Sequence, residues 1–351
     1  MLPEPQQLRR ILSAGILAPS AENKHYLRFR VAHDSVSLAS TDCASWAALP
    51  HRRFLALFSY GAVLENIALR SAQLGHGLVA DLFPDFAEPD LIAQLRWTSA
   101  APLPDPLDQA IEGRHTNRRF YRRASLPGET LAQLSAAAAS TPGARLLWLD
   151  DADSRGLALQ TIRIAETERF LRPALHHELF GAVRFDTGWR HTTDEWLPPA
   201  ALEVEAPMRV PFALLRHWPL MRASTWLGAH LALGLRAGYL PCALAPHIGL
   251  LVVDDPRDDI GAIRAGRGFQ RLWLAAQAAG LALQPMAAAT VLARQAPAPG
   301  WVRADVKLRL QKQLAQLAGD PEARPCMLFR AGRAKPPAVV TGRLPLDHYL
   351  V

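Results

Sequence analysis

The segment GRHTNRRFY, residues 113–121, gathers Arg114, Arg118 and Arg119 around His115 and Thr116. Two or three guanidinium groups beside a hydroxyl make a planar, bidentate cradle for a phosphate. A solvated basic turn on the surface is the plain alternative for such a cluster taken alone. Other groupings carry less chemistry. His176, His177 and Glu178 are consecutive, so on a helix they point in different directions, and HExxH spacing is absent. His191 with Asp194 and Glu195 fares no better. Asp254, Asp255, Asp258 and Asp259 lack the spacing and glycine of a calcium loop and read as a solvated turn. No GxSxG elbow occurs. AGRGF at 265–269 lacks the full GxGxxG pattern, so Gly266 reads as a helix start, with Arg264 and Arg267 in its first turn.

Composition narrows the classes. Half of the 351 residues are hydrophobic and 20% are charged, as in a packed globular protein. Cys43, Cys242 and Cys326 are far apart and odd in number, which points to neither a disulfide framework nor a zinc site and fits a reducing cytoplasm. No apolar run is long enough to span a bilayer and no export signal opens the sequence, so no membrane association is expected. The net charge of +7 is carried almost wholly by arginine, since lysine occurs only at Lys24, Lys307, Lys312 and Lys335. The charge is spread along the chain without a basic–aromatic motif, which argues against nucleic acid and leaves a small anionic ligand.

The elements that must position the arginine cluster show an internal repeat. GAVLENIALRSAQLG (61–75) and GRGFQRLWLAAQAAG (266–280) open and close with glycine at the same spacing. Their apolar residues recur at helical spacing over a wide face, so each is a strongly buried helix. Gly75 and Gly280 stand where a helix C-cap glycine stands, and Leu78–Leu82 and Leu281–Leu283 follow as strands. A second matching pair, starting at Leu12 and Leu134, reads as helix, Pro-containing turn and strand. The stretch from Leu134 to Gly266 is much longer than that from Leu12 to Gly61, so an insertion, about 165–245, forms an arm or lid. The prolines Pro102, Pro104 and Pro106 mark an extended join. The expected organisation is therefore a first half, 1–106, and a second half, 107–351. Another helix is expected over Arg303–Leu317.

Four segments together resemble the nitroreductase-fold flavoproteins. They are GRHTNRRFY, ILAPSAENKHYLRF (16–29), AAQAAGLALQPMAA (275–288) and TGRLPLDHYL (341–350). With the apparent duplication, the resemblance is to the Acg-like branch, in which one chain carries two fused halves. The resemblance implies an α+β fold: two mixed, mainly antiparallel sheets flanked by helices, forming a pseudo-dimer around a buried helix pair. It also implies that FMN is gripped by Arg114, His115, Thr116 and Arg118, with Arg343 completing the phosphate site. Pro19, Ser20 and Asn23 would come from the first half, and Pro285, Met286 and Ala287 would back the ring. Only one complete set of motifs remains, so a single FMN per chain is expected, in a pseudo-dimeric monomer or a homodimer.

This sequence departs from the family pattern at His25, Tyr26 and Leu27, where the family has Gln-Pro-Trp, at Ala287 and Ala288, where it has an acid and glycine, and at Thr341. The implied function is hydride transfer from NADH or NADPH to the flavin and on to a small acceptor such as a nitro compound or quinone, with no protein acid or base required. A non-catalytic, flavin-sequestering role is the alternative. Arg190–Pro199, with Trp196, is the candidate lid.

Overall fold

A computed structural model describes residues 2–100, 102–254, 258–296 and 298–351, with only the backbone of Asp258. Of the acidic turn at 254–259, Asp255 lies outside the described residues.

The fold is α+β. Strands β1 (Leu27–Val31), β2 (Val36–Ser40), β3 (Gly77–Leu82) and β4 (Leu91–Thr98) form one sheet in the order β1-β2-β4-β3. Strands β5 (Ala144–Trp148), β6 (His247–Val253), β7 (Ala282–Pro285) and β8 (Arg324–Gly332) form another in the corresponding order, β5-β6-β8-β7. Every neighbouring pair is antiparallel. β6, HIGLLVV, is buried on both faces. Leu251 and Val253 enter the larger core while Ile248, Leu250 and Val252 enter a second, as the two-residue period of a strand requires.

Among the described residues, the longer helices are α1 (Pro5–Ile16), α2 (Pro50–Gln73), α3 (Gly128–Ala139), α4 (Ala152–Leu171) and α5 (Pro173–Gly181). Four short ones follow: α6 (Arg209–Leu214), α7 (Trp218–Ser224), α8 (Ala229–Gly234) and α9 (Leu240–Leu244). Then come α10 (Asp258–Ala278), α11 (Ala288–Leu292) and α12 (Ala304–Ala318), the last matching the helix expected over Arg303–Leu317. Helices α4 to α9 all lie in the link between β5 and β6, whereas β1 and β2 are joined by a short turn. The stretch 165–245 falls inside that long link.

Helices α2 and α10 cross at the centre, and two glycines let them touch. A Cβ on Gly61 would overlap the carbonyl of Ile263, and one on Gly266 would overlap the carbonyl of Phe58. Each struck carbonyl lies three residues before the opposite glycine, so the contact is reciprocal. Neither glycine starts its helix, contrary to expectation; both lie in helix interiors. Their absent side chains serve the close crossing, which outweighs the loss of helix propensity. Arg267 accordingly meets no exposed helix end. It donates to Glu65 at 2.8 Å, and Arg271 donates to the same buried carboxylate at 2.7 Å. Gln270 donates to Asn66 at 2.7 Å. The two helices also end alike. Gly75 and Gly280 have φ of +81° and +67°, and the next residues, His76 and Leu281, close onto Ser71 and Ala276.

The crossing predicts opposite signs for two Gly→Ala substitutions. Gly266→Ala is expected to destabilise by about 1–3 kcal/mol or more, as overpacking does. Gly156→Ala, in an exposed part of α4 with open space around it, is expected to stabilise by about 0.5–1 kcal/mol. Urea unfolding midpoints of the two variants measure both, and equal shifts would refute the steric account.

Candidate functional site

Chain topology brings the predicted residues together. After α1 the chain turns through Leu17–Asn23, with Glu22 and Asn23 in the left-handed region at φ of +57° and +61°. This turn is held by the last residues of the sequence. Phe29 of β1 donates to Tyr349 at 2.7 Å, and Val351 donates back to Phe29 at 3.0 Å, so the tail lies along the first sheet. That path carries Arg343 to the turn. Its guanidinium donates to Ile16 at 3.0 Å and Ala18 at 2.8 Å, and also bonds the Asn23 side-chain oxygen. His25 Nε2 donates to the same two carbonyls, at 3.0 and 3.1 Å. Burial, then the Arg343 charge, pushes His25 down to about 3, so it is neutral.

The strand-like segment after Gly113 is pinned by β7 and by the segment after β8. Asn117, which the sequence did not single out, is buried and donates its backbone N–H to Leu283 of β7 at 3.2 Å. Its side chain donates to Lys335 at 2.9 Å. Behind it stands Arg330 of β8, fully buried, bonded to Gln284 at 2.6 Å and to the carbonyl of Arg119 at 2.8 Å, and stacked on the Tyr121 ring. These contacts fix Arg114 and Arg118 while leaving their heads beside a cavity.

Two adjoining cavities result. The smaller, about 140 Å³, is lined by Arg114, His115, Thr116, Arg118, Asn23 and Arg343, among others. The larger, about 1130 Å³, is lined by Pro285, Met286 and Ala287, with Trp196 and Trp273 in its wall. Pro19, Ser20, Thr116 and Arg118 line both. All eleven residues expected at the site therefore line one or other of two adjoining cavities, the smaller of them bordered by the 17–26 turn and the 113–121 segment. Arg119 does not; it pairs with Glu203 at 3.2 Å.

The smaller cavity is lined by cationic side chains. Arg114 donates to the Leu17 carbonyl at 3.1 Å, stacks 4.5 Å from the Trp273 ring centre, and leaves Nε buried without a partner. Arg118 donates to the Ala201 carbonyl at 3.2 Å. None of Arg114, Arg118 and Arg343 has a carboxylate within salt-bridge distance among the described residues. Burial pushes them down to about 9, 10 and 10, and the Arg343 charge lowers Arg114 further. Three cations removed from water on neutral acceptors alone is a costly arrangement, which a bound anion relieves. Ser20 Oγ is likewise buried without a partner.

The larger cavity holds groups that sequence reasoning missed. Glu22 lines both cavities, and its side chain shares the space with Arg52 of α2 and with Arg169 and Glu178 of α4 and α5. Arg52 donates to Glu178 at 3.1 Å, tying α2 to the long link. The left-handed backbone at Glu22 aims it inward, a feature with no signal in residue type. Trp196, from the segment Arg190–Pro199, lines the larger cavity as well. Trp196, at φ of +65°, donates to Asn23 at 3.3 Å, Asn23 donates back at 3.2 Å, and Lys24 sits 4.4 Å over its ring.

No protein-family model matches the chain. Over 143 residues it is 33% identical to a Mycobacterium tuberculosis protein named "Putative NAD(P)H nitroreductase", known from two strains. That match covers 39% of the chain, and the chain matches only 40% of the length of those relatives. Among solved structures, an FMN-bound nitroreductase of Desulfitobacterium hafniense aligns at 12% identity and a TM-score of 0.37, over 69% of this chain and 94% of that one. An FMN-dependent nitroreductase of Mycobacterium smegmatis in complex with NADPH aligns at 19% identity and a TM-score of 0.36, over 69% and 95%. No helix among the described residues is long and apolar enough to cross a membrane, and no cluster of metal-ligating side chains occurs among them.

Glu22 gives a pH test of this geometry. Burial, with Glu178 adding to it, pushes its carboxyl from 4.5 up to about 7. The folded chain then holds a proton that the unfolded chain releases, so this residue's contribution to stability falls as pH rises from about 4.5 to about 7. Glu22→Gln is expected to raise the melting temperature more at pH 8 than at pH 5. The same difference at both pH values would show that the carboxyl is not buried.

Proposed function

We propose that this nitroreductase-like chain is an FMN-dependent oxidoreductase that takes electrons from NAD(P)H, with a single FMN held between two fused halves. The observation that carries the reading is the set of three half-buried arginines without a carboxylate partner among the described residues, facing a small cavity that adjoins a large one. Arg114, Arg118 and Arg343, with Ser20 and Thr116, would hold the phosphate, and the unpartnered Arg114 Nε and Ser20 Oγ are donors for it. Pro285, Met286 and Ala287 would wall the ring, with Asn23 and His115 at the edges. The larger cavity, about 1130 Å³, exceeds the roughly 300–1,000 Å³ of common small-molecule sites and leaves room for an acceptor.

When bound, FMN supplies hydride chemistry between NAD(P)H and a small acceptor such as a nitro compound or quinone. The chain's own residues do the rest. The arginine charges orient the phosphate and favour negative charge nearby. His25, neutral and donating to two carbonyls, stiffens the turn that carries Ser20. Glu22, protonated up to about pH 7, is a hydrogen-bond donor at the boundary of the two cavities. The matching strand orders of the two sheets and the reciprocal glycine contact support an origin by duplication, with halves 1–106 and 107–351.

A second reading, flavin sequestration without turnover, is favoured by one feature. Much of the larger cavity's wall comes from the link between β5 and β6, and Trp196 is already tied to the 17–26 turn.

Purified protein is expected to be yellow. Arg114→Ala is expected to weaken FMN binding on the order of 10- to 100-fold, because hydrogen bonds to charged groups are worth roughly 1.5–3 kcal/mol. Fluorescence titration measures it, and unchanged affinity would remove Arg114 from the phosphate site. Anaerobic stopped-flow mixing with NADPH separates the two readings: bleaching of the flavin band within seconds marks the oxidoreductase, and none over minutes marks sequestration. A colourless protein that ignores added FMN ends both.

A further inference from the structure

The helices that wall the larger cavity are apolar on their outer side too. Of the sixteen exposed large hydrophobic residues among those described, eight fall between Met208 and Leu235. Trp226 and Leu227 stand out at 90% and 91% exposure. Val210 and Leu214 share one outward stripe of α6, four residues apart. Leu231 and Leu235 repeat the same spacing through α8 and the π-helical turn that follows it, Leu235–Tyr239, while Trp226 and Leu227 sit on the turn just before the left-handed Gly228. The inner face of α8 is spent on the cavity, through Ala229 and Leu233. A helix apolar on both sides is normally buried on both sides.

Charge decides what covers this face. From Ala206 to Val253 the sequence has no aspartate or glutamate, but it has Arg209, Arg216, Arg222 and Arg236. Arg236 is paired with Glu205 from outside that stretch. Arg216 and Arg222 are exposed and have no carboxylate within salt-bridge distance among the described residues. A second copy of this chain, meeting the face with its own, would set arginine against arginine around the apolar centre. A partner that offers both apolar depth and negative charge fits instead. Exposed Trp and Leu flanked by arginine, on short helices lying along the surface, is the pattern of interfacial binding to an anionic bilayer.

We propose that the face formed by α6, α7 and α8 docks peripherally on an anionic lipid surface. Trp226, Leu227 and Leu231 enter the headgroup boundary, and Arg216 and Arg222 pair with lipid phosphates. The cavity wall is then seated against the membrane while the arginine-lined cavity is held by other elements. The docking requires no spanning helix and does not depend on the flavin reading.

The test is flotation of the full chain through a density gradient with vesicles of phosphatidylcholine alone or mixed with phosphatidylglycerol. The chain is expected to float with the anionic vesicles and on the order of tenfold less with the neutral ones. The bound fraction is expected to drop at about 0.5 M salt. Trp226→Ser with Leu227→Ser, and separately Arg216→Glu with Arg222→Glu, are expected to abolish flotation. Both pairs are solvent-exposed, and an unchanged circular dichroism melt confirms that they fold. No flotation with anionic vesicles, or equal flotation of the variants, overturns the proposal. So does a concentration-dependent dimer in sedimentation velocity that the Trp226→Ser, Leu227→Ser variant dissolves, since a second copy would then cover the face.

Discussion

The backbone contact between α2 and α10 at Gly61 and Gly266 sets the geometry on which the site depends. Two long helices that touch without side chains between them have little freedom to slide or rotate. Each is followed by a glycine-capped turn and a strand, so the crossing fixes one sheet relative to the other. It also sets Trp273, on α10, beneath the guanidinium of Arg114. The polar seam beside the crossing, with Glu65 between Arg267 and Arg271 and Asn66 against Gln270, adds direction to the contact. A buried carboxylate with two cationic partners is costly to break, which makes the register specific even where its net gain in stability is modest.

The consequence is a site whose parts come from opposite ends of the chain. Residues 17–26 belong with α1, the 113–121 segment follows the join, and Arg343 arrives on the tail laid along β1. Their meeting leaves three arginines on carbonyl and amide acceptors. In most proteins a buried guanidinium is matched by a carboxylate, as Arg70 is by Asp108 at 2.7 Å. The contrast within one molecule is informative. Arg52 in the wall of the larger cavity is likewise paired, with Glu178, whereas the three arginines of the smaller one rest on neutral acceptors. Arg330 marks the boundary between these cases: it too lacks a carboxylate, yet Gln284, two carbonyls and the Tyr121 ring occupy it fully.

Much of this was legible in the sequence because it depends on local chemistry. Helical periodicity and the capping glycines at 75 and 280 located both central helices and the strands after them. The four family-like segments named eleven of the residues that line the cavities. What escaped was set by tertiary contact. Gly61 and Gly266 look like helix openings because glycine is a poor helix interior residue; only the opposing carbonyl explains them. Glu22 carries no sequence signal, since its role comes from a left-handed backbone and from Glu178 on a distant helix. Asn117 and Arg330 were likewise silent, being ordinary polar residues made important by what packs on them. The long link announced itself through length, but not that its helices would wall the larger cavity.

The tail that lies along β1 has an implication for how the molecule is made. Arg343 and the strand-like residues after it are synthesised after every other part of the site. While the ribosome is still adding α12 and β8, the 17–26 turn has neither its guanidinium clasp nor its edge partner, and β1 remains an open sheet edge. The smaller cavity is thus completed only once Arg343 has followed α12 and β8 out, when the sheets on either side of it are already able to form.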